Sequence, residues 1–182
     1  MRQYMKRKNI SITKYNPADR NSLGYFNVGD WTSYSDIGKL YNNILLSKEE
    51  YEKIELLYIQ AVILTLTFFE SKSIKITHIF KLSKKQDFIK NDDLHLYKLF
   101  KDLDVGKKIE NIQLISNLVK LRLREYIVEL ELIIDEKSRS EILFGFDYNM
   151  YLKTNKDVSF LIEKINDLGL FVNEPDGSDI SP

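Results

Sequence analysis

Cysteine is absent from the 182 residues of the chain. Its absence excludes disulfide bonds, thiolate catalysis and zinc or iron–sulfur sites that need cysteine ligands. Only seven glycines are present, and they form no dinucleotide-binding or nucleophile-elbow motif. Gly24 and Gly29 have the spacing of a phosphate-binding loop, but Asp30 and Trp31 stand where that loop needs lysine and serine or threonine. The residues therefore favour no nucleotide-binding or serine-hydrolase chemistry.

An excess of one charge is also missing, since 27 lysines and arginines balance 27 aspartates and glutamates. The chain has no overall field that would guide it onto nucleic acid or an acidic membrane. Of the cations 21 are lysine and six are arginine, whereas planar recognition of phosphates and bases favours arginine. We expect no direct nucleic-acid partner.

Long hydrophobic runs are missing too. The most apolar segment covers residues 56–69 and contains Gln60, so it is too short to cross a bilayer. The basic start of the chain is not followed by the apolar segment of a secretory signal. We expect a cytoplasmic protein without a membrane partner.

The composition predicts one domain between two tails, because 43% hydrophobic and 30% charged residues are typical of a globular protein. Residues 1–14 carry five cations and no acid. Residues 174–182 are acidic and rich in turn-forming residues, so both ends are typical of solvated tails. The domain is expected over residues 15–173, and residues 15–38, which mix turn formers with Trp31 and other aromatics, predict an ordered loop layer on its core.

Helical patterns dominate the first two thirds of the chain. Ser47 and Glu50 have the spacing of a capping box and predict the start of a long helix that is apolar on nearly all sides, hence buried. Residues 74–82 alternate as a strand that places His78 on its apolar face. Further helices are predicted over residues 92–102 and 109–121.

Strand patterns dominate the last third. Residues 126–134 and 142–152 alternate with period two around a polar turn, which predicts an antiparallel hairpin. A last helix is expected over residues 154–169, followed by a short strand at 170–172. The predicted fold is α+β, with a helical first two thirds around the long buried helix and a C-terminal antiparallel sheet.

Few residues are suited to catalysis. His78 is expected to be a satisfied core or edge histidine, and a cluster of Asp92, Asp93 and His95 has the composition of a metal site or of a solvated first helical turn. Glu129 and Glu131 lie on one face of a predicted strand, with Asp147 on the polar face of its partner. Such carboxylates suit a solvated or partner-binding face, and 11 tyrosines permit protein binding.

Several short segments resemble the immunity proteins of bacterial contact-dependent growth inhibition and related polymorphic toxin systems. The most specific segment combines Trp31-Thr32-Ser33 with Ser35-Asp36-Ile37-Gly38. The others span the region between Tyr15 and Val172: Tyr15-Asn16-Pro17, Arg20-Asn21, Gly24-Tyr25, Leu123-Arg124-Glu125-Tyr126, Gly145-Phe146-Asp147-Tyr148 with Tyr151, and Gly169-Leu170-Phe171-Val172.

This resemblance implies a protein without enzymatic activity or cofactor that binds a cognate toxin domain, often a nuclease, in a 1:1 complex and is a monomer when free. If the toxin is a nuclease, carboxylates of the inhibitor are expected to face its basic substrate groove. The residues expected to bind the toxin are Asp30, Trp31, Asp36, Glu129, Glu131, Asp147, Tyr148 and Tyr151. As an alternative to toxin binding, Asp36 caps a helix and Trp31 is a core residue, so that both have only a structural role. A small metal-dependent hydrolase using the Asp92 cluster, or a self-associating structural or regulatory protein, remains the functional alternative.

Overall fold

A computed structural model describes residues 7–21 and 29–173. Five α-helices form within these residues: α1 (Lys48–Phe68), α2 (Lys85–Lys90), α3 (Leu94–Asp102), α4 (Ile112–Leu123) and α5 (Ser159–Asp167). Two short 3₁₀ helices, Pro17–Asp19 and Tyr34–Asp36, lie in the predicted loop layer. Gly24, Tyr25 and Phe26 of that layer, part of the N-terminal tail and the whole tail 174–182 lie outside the described residues.

The strands in chain order are β1 (Lys8–Thr13), β2 (Leu40–Tyr41), β3 (Ile44–Leu45), β4 (Ile74–Lys81), β5 (Lys108–Ile109), β6 (Ile127–Asp135), β7 (Ser140–Phe144), β8 (Asn149–Thr154) and β9 (Phe171–Asn173). Seven of them form one sheet in the order β5-β4-β6-β7-β8-β1-β9. All of its pairs are antiparallel. β2 and β3 form a separate small hairpin.

The predicted arrangement of a helical first part and a C-terminal sheet is wrong. The dominant element is the seven-stranded sheet, and three of its strands, β1, β4 and β5, come from the first two thirds of the chain. Lys8–Thr13 was expected in a basic tail but lies between β8 and β9. Ile10 and Ile12, each 1% exposed, bury one side of this strand, so local charge gave no indication of its long-range pairing.

Helix α1 begins as the sequence predicts. The Ser47 hydroxyl accepts the Glu50 backbone N–H at 3.1 Å and caps the first turn. One side of the helix carries the fully buried Tyr51, Tyr58 and Val62, but Leu56 is 51% exposed, so the prediction of burial all round is wrong. No helix in the described part of the chain is long and apolar enough to cross a membrane.

A β-bulge in β4 changes the face on which His78 lies. Ile74 and Ile76 are buried as predicted, but the pairing with β6 shifts between Ile76 and His78. An extra residue in one strand reverses the inside–outside alternation beyond it. His78 and Phe80 therefore lie on the solvent side, and the expected position of His78 on the apolar face of its strand is wrong.

The long strand predicted over residues 142–152 is interrupted by a tight turn. The Asn149 backbone N–H donates to the Phe146 carbonyl at 3.0 Å, while Asp147 and Tyr148 both have positive φ, 51° and 57°. These values match a type I′ turn, which reverses the chain between β7 and β8. Asn-Gly is the usual central pair of such a turn, so Asp147-Tyr148 gave no sequence signal.

The sheet has a covered face and an open face. Alternate residues such as Leu132, Ile142 and Leu152 are buried, and the helices lie on their side, where α4 contacts β6 and α1 contacts α4 and α5. On the opposite side, residues of β4, β6, β7 and β8 are exposed or half-buried. We call this side the open face.

Candidate protein-binding surface

Tyr148 anchors the turn between β7 and β8 in a cluster of aromatic rings. Its ring centroid lies 5.1 Å from that of Trp31, 6.1 Å from that of Tyr51 and 5.9 Å from that of Tyr58. The Tyr58 hydroxyl donates to the Tyr148 carbonyl. Burial raises the pKa of the Tyr148 hydroxyl. These contacts stabilise a positive φ that is unfavourable for an aromatic residue, and they fix the position of Asp147 next to it.

Lys14 connects Trp31 and Asp30 to this cluster. Its Nζ lies 3.7 Å from the centre of the Trp31 ring and donates to Asp30 Oδ2 at 2.5 Å. Burial lowers the pKa of Lys14, and the hydrogen bond and charge of Asp30 oppose that shift. The Asp30 carboxylate thus balances a cation whose side chain is only 4% exposed.

Asp36 caps a local turn. Its Oδ2 accepts the backbone N–H groups of Thr32 at 2.9 Å and Ser33 at 3.1 Å, and its Oδ1 accepts Lys39 Nζ at 2.8 Å. The Ser33 hydroxyl accepts the Ser35 N–H at 3.0 Å, which completes a capping box around the 3₁₀ helix Tyr34–Asp36. These bonds favour the structural interpretation of Asp36.

Three of the residues expected to meet the toxin therefore have internal partners. Trp31 is 8% and Asp36 is 7% exposed, and Asp30 is paired with Lys14. Their direct contact with a partner stays a prediction. The internal contacts seen in the structure hold in place the chain segment next to the turn between β7 and β8. Tyr148, 7% exposed, has the same supporting position.

The tip of the turn, in contrast, is open to solvent. Phe146 is 77% exposed, the largest exposure among the described large hydrophobic residues, and Asp147 next to it is exposed. Glu125, at the end of α4, lines the same pocket as both of them. Phe146 and Glu125 were not among the sequence candidates. The strand pattern placed Phe146 on the buried face of its strand. Glu125 is distant from the turn in the sequence and reaches it only in the folded chain.

A groove on the open face lies next to this turn. His78, Glu131, Leu143 and Tyr151 are successive neighbours across β4, β6, β7 and β8. His78 Nε2 lies 2.6 Å from Glu129 Oε2, with both side chains about half exposed at 47% and 55%. The sheet therefore brings together Glu129, Glu131 and Tyr151, of which the sequence predicted a shared face for Glu129 and Glu131.

Phe144 and Gly145 line both the groove and the pocket at the turn, so the two regions adjoin at the end of β7. A Cβ atom at Gly145 would lie 2.8 Å from Cε2 of Tyr151, which explains why the ring can lie against the backbone there. We define the acidic surface as the carboxylates of both regions together with Phe146. Its members are Glu125, Glu129, Glu131, Phe146 and Asp147.

Asp93, which the sequence placed in a metal site or in a solvated first helical turn, has neither surrounding in the structure. Its Oδ1 lies 2.5 Å from Arg124 Nη1, and its Oδ2 accepts the Tyr126 hydroxyl at 2.8 Å. Asp92 and His95 are exposed, whereas Asp93 is 1% exposed. Across residues 7–21 and 29–173, no group of three or more histidine, aspartate or glutamate side chains is placed to hold a metal ion. The geometry of Asp93 supports an internal ion pair.

A scan against protein-family models, a search of curated protein sequences and a search of solved structures each gave no match. The resemblance to immunity proteins accordingly has its basis in the sequence segments themselves.

Proposed function

We propose that this chain is an immunity protein that neutralises a toxin domain by forming a stoichiometric protein complex. The observation that carries the proposal is the acidic surface, in which four carboxylates line two adjoining regions and the exposed ring of Phe146 lies at one of them. The chain as a whole is neutral. The four carboxylates outnumber Lys153 and Arg122, which line the same two regions, so they form a local patch that favours a partner of opposite charge.

A nuclease toxin is the partner that this patch fits best. Its substrate groove must attract phosphates, so it presents cations that Glu125, Glu129, Glu131 and Asp147 can pair with. A large aromatic side chain is a frequent energetic centre of protein interfaces, and Phe146 lies beside these acids. The complex would cover the groove and keep the nucleic acid out.

The proposal assigns two kinds of role to the candidate residues. The carboxylates and Phe146 contact the toxin, together with Tyr151 at the edge of the groove. Trp31, Asp36 and Tyr148 hold the neighbouring backbone in place through the contacts described above. The protein acts in the cytoplasm as a monomer that binds one toxin domain, and measurement of its mass in solution tests the monomer directly.

The direct test mixes the purified chain with the toxin domain encoded beside its gene. Calorimetry and toxin activity are measured in the same samples. We expect a 1:1 endpoint and a loss of activity that follows complex formation. Binding without inhibition, or no binding to any neighbouring gene product, would contradict the proposal.

Replacing Glu125 with glycine should change the stability of the protein and its affinity for the toxin in opposite directions. It follows the C-cap of α4 with φ 62°, and Glu70 follows the C-cap of α1 with φ 53°. Glycine relieves about 1–2 kcal/mol of left-handed strain at such a position, less the flexibility it adds to the unfolded chain. Glu125→Gly and Glu70→Gly should therefore each raise the free energy of unfolding by about 0.5–1 kcal/mol.

Only Glu125→Gly should weaken toxin binding, because Glu70 does not belong to the acidic surface. Urea unfolding and calorimetric titration of both variants measure the two effects. Equal toxin affinity of the two variants would remove Glu125 from the proposed interface.

A further inference from the structure

We propose that the hairpin of β2 and β3 is a second, apolar part of the toxin-binding interface, which packs into an apolar pocket of the toxin beside its cationic substrate groove. The inference depends on the proposed function for the identity of the partner. It adds to the acidic surface a region that binds through burial of apolar side chains. Salt does not screen such contacts, so the two regions can be told apart by experiment.

The hairpin exposes more large apolar side chains than any other stretch of six residues in the described part of the chain. Leu40 is 67%, Ile44 is 72% and Leu45 is 56% exposed. Leu40 pairs with Leu45 across the hairpin. Residues paired in this way lie on the same face, so the two leucine side chains form one apolar patch. Single exposed leucines are ordinary, whereas several together are typical of a binding surface.

The backbone gives this patch a defined shape. Asn42 and Asn43 have positive φ, 50° and 63°, which match a two-residue type I′ turn. Asparagine adopts such left-handed conformations more readily than most residues. Tyr41, half-buried, packs against the core and attaches the hairpin to the body of the protein. A preformed hairpin loses little conformational freedom when a partner covers it.

Asp36 joins the hairpin to the acidic surface. Its Oδ1 accepts Lys39 Nζ at 2.8 Å, directly before β2, and its Oδ2 accepts the Ser33 N–H at 3.1 Å. The Ser33 hydroxyl in turn donates to Glu125 Oε2 at 3.2 Å. The hydrogen bond and charge of Asp36, together with the charge of Glu125, raise the pKa of Lys39. The hairpin therefore lies beside Glu125, and one partner can contact both.

The neighbouring charges decide which partner fits the hairpin. A symmetric dimer through the hairpin would place the same surface of two copies face to face. Glu125 of each copy would then approach the acidic surface of the other, and these like charges would oppose association. A toxin with cations around its substrate groove pairs with the carboxylates instead. Its apolar residues cover Leu40 and Leu45, in the usual arrangement of an apolar contact beside polar ones.

The test replaces Leu40 and Leu45 together with glutamine in the full-length protein. Surface plasmon resonance on the immobilised toxin domain, encoded beside the gene, measures both rate constants at low and at high salt. We expect dissociation to become at least about tenfold faster and association to change little, because lost contacts act mainly on the dissociation rate. The loss should be the same at both salt concentrations. The change in heat capacity on binding should also become less negative, as calorimetry at several temperatures measures.

A variant with Ile112→Gln and Leu114→Gln is the matched control. These side chains are 59% and 42% exposed, and they lie in the first turn of α4, at the opposite end of that helix from Glu125. Their replacement removes exposed apolar surface of similar size but should leave the dissociation rate unchanged. Circular dichroism confirms that each variant is folded.

Three outcomes would overturn the inference. If the unmodified chain binds the toxin and the Leu40 and Leu45 variant dissociates no faster, the inference fails while the proposed function stands. If the free chain forms a dimer that this variant dissociates, the partner of the hairpin is a second copy. If the unmodified chain does not bind the toxin at all, the inference and the proposed function fail together.

Discussion

Replacing Arg124 with methionine should lower the free energy of unfolding by about 3–5 kcal/mol, because the change leaves the buried Asp93 without its cation and Glu55 with only Lys120, whose Nζ lies 3.8 Å away. Arg124 is 6%, Glu55 is 2% and Asp93 is 1% exposed. Urea unfolding, followed by circular dichroism at several protein concentrations, measures the loss.

The geometry of this ion pair network explains the size of the effect. Arg124 donates from Nε and Nη2 to the two oxygens of Glu55 at 2.7 and 2.8 Å, and from Nη1 to Asp93 at 2.5 Å. Burial disfavours the charged guanidinium, but the hydrogen bonds and charges of Glu55 and Asp93 outweigh it and raise the pKa of Arg124. The network joins α1, the end of α4 and the start of α3.

Lys53→Met is the matched control. Lys53 pairs with Glu50 at 2.6 Å, but both side chains are 58% exposed, so solvent screens the pair and stability should hardly change. Arg124→Lys should recover only part of the loss, because one ammonium group cannot reproduce the planar fork of the guanidinium. Equal stability of Arg124→Met and Lys53→Met would show that the network is not structural.

Charge reversal on the acidic surface should slow toxin association at least tenfold at low salt. Electrostatic attraction between complementary surfaces raises association rates by about 10-fold or more. The variant combines Glu129→Lys, Glu131→Lys and Asp147→Lys. Its association rate should also depend less on ionic strength, because the attraction that salt screens has been removed. Stopped-flow mixing across a series of salt concentrations measures both quantities.

A second triple variant controls for net charge. Glu49, Glu110 and Glu163 have side chains that are 83%, 70% and 66% exposed, and they lie outside the acidic surface. Their reversal to lysine changes the net charge equally but should leave most of the association rate intact. Unchanged kinetics in the Glu129, Glu131 and Asp147 variant would refute the assignment of these residues to the interface.

The sequence predicted those parts of the fold in which a local pattern has one physical outcome. The hydroxyl of Ser47 before a helical run can cap only that helix, and the structure confirms the cap. The alternation predicted over residues 126–134 appears in β6 from Glu129 onward, where Leu130, Leu132 and Ile134 are buried and Glu129 and Glu131 lie on the other side, whereas Ile127 is buried against the pattern. The shared face of Glu129 and Glu131 was predictable because side chains alternate along any strand.

Other features depend on which segments meet, and these the sequence did not reveal. The bulge that exposes His78 is visible only in the pairing of β4 with β6. The type I′ turn at Asp147-Tyr148 is stabilised by rings of residues distant in the chain, Trp31, Tyr51 and Tyr58. The same holds for Asp93, whose ion pair with Arg124 joins residues 31 positions apart.

By itself the sequence determined that no cysteine chemistry is available, where α1 begins, and that Glu129 and Glu131 share a face. These properties follow from residue type and from the spacing of neighbours along one element. Only the tertiary structure decided that β1 lies inside the sheet and that Glu125 and Phe146 join the acidic surface. Each of these features arises from contact between distant segments. Burial and long-range pairing determine such contacts, and local propensity does not.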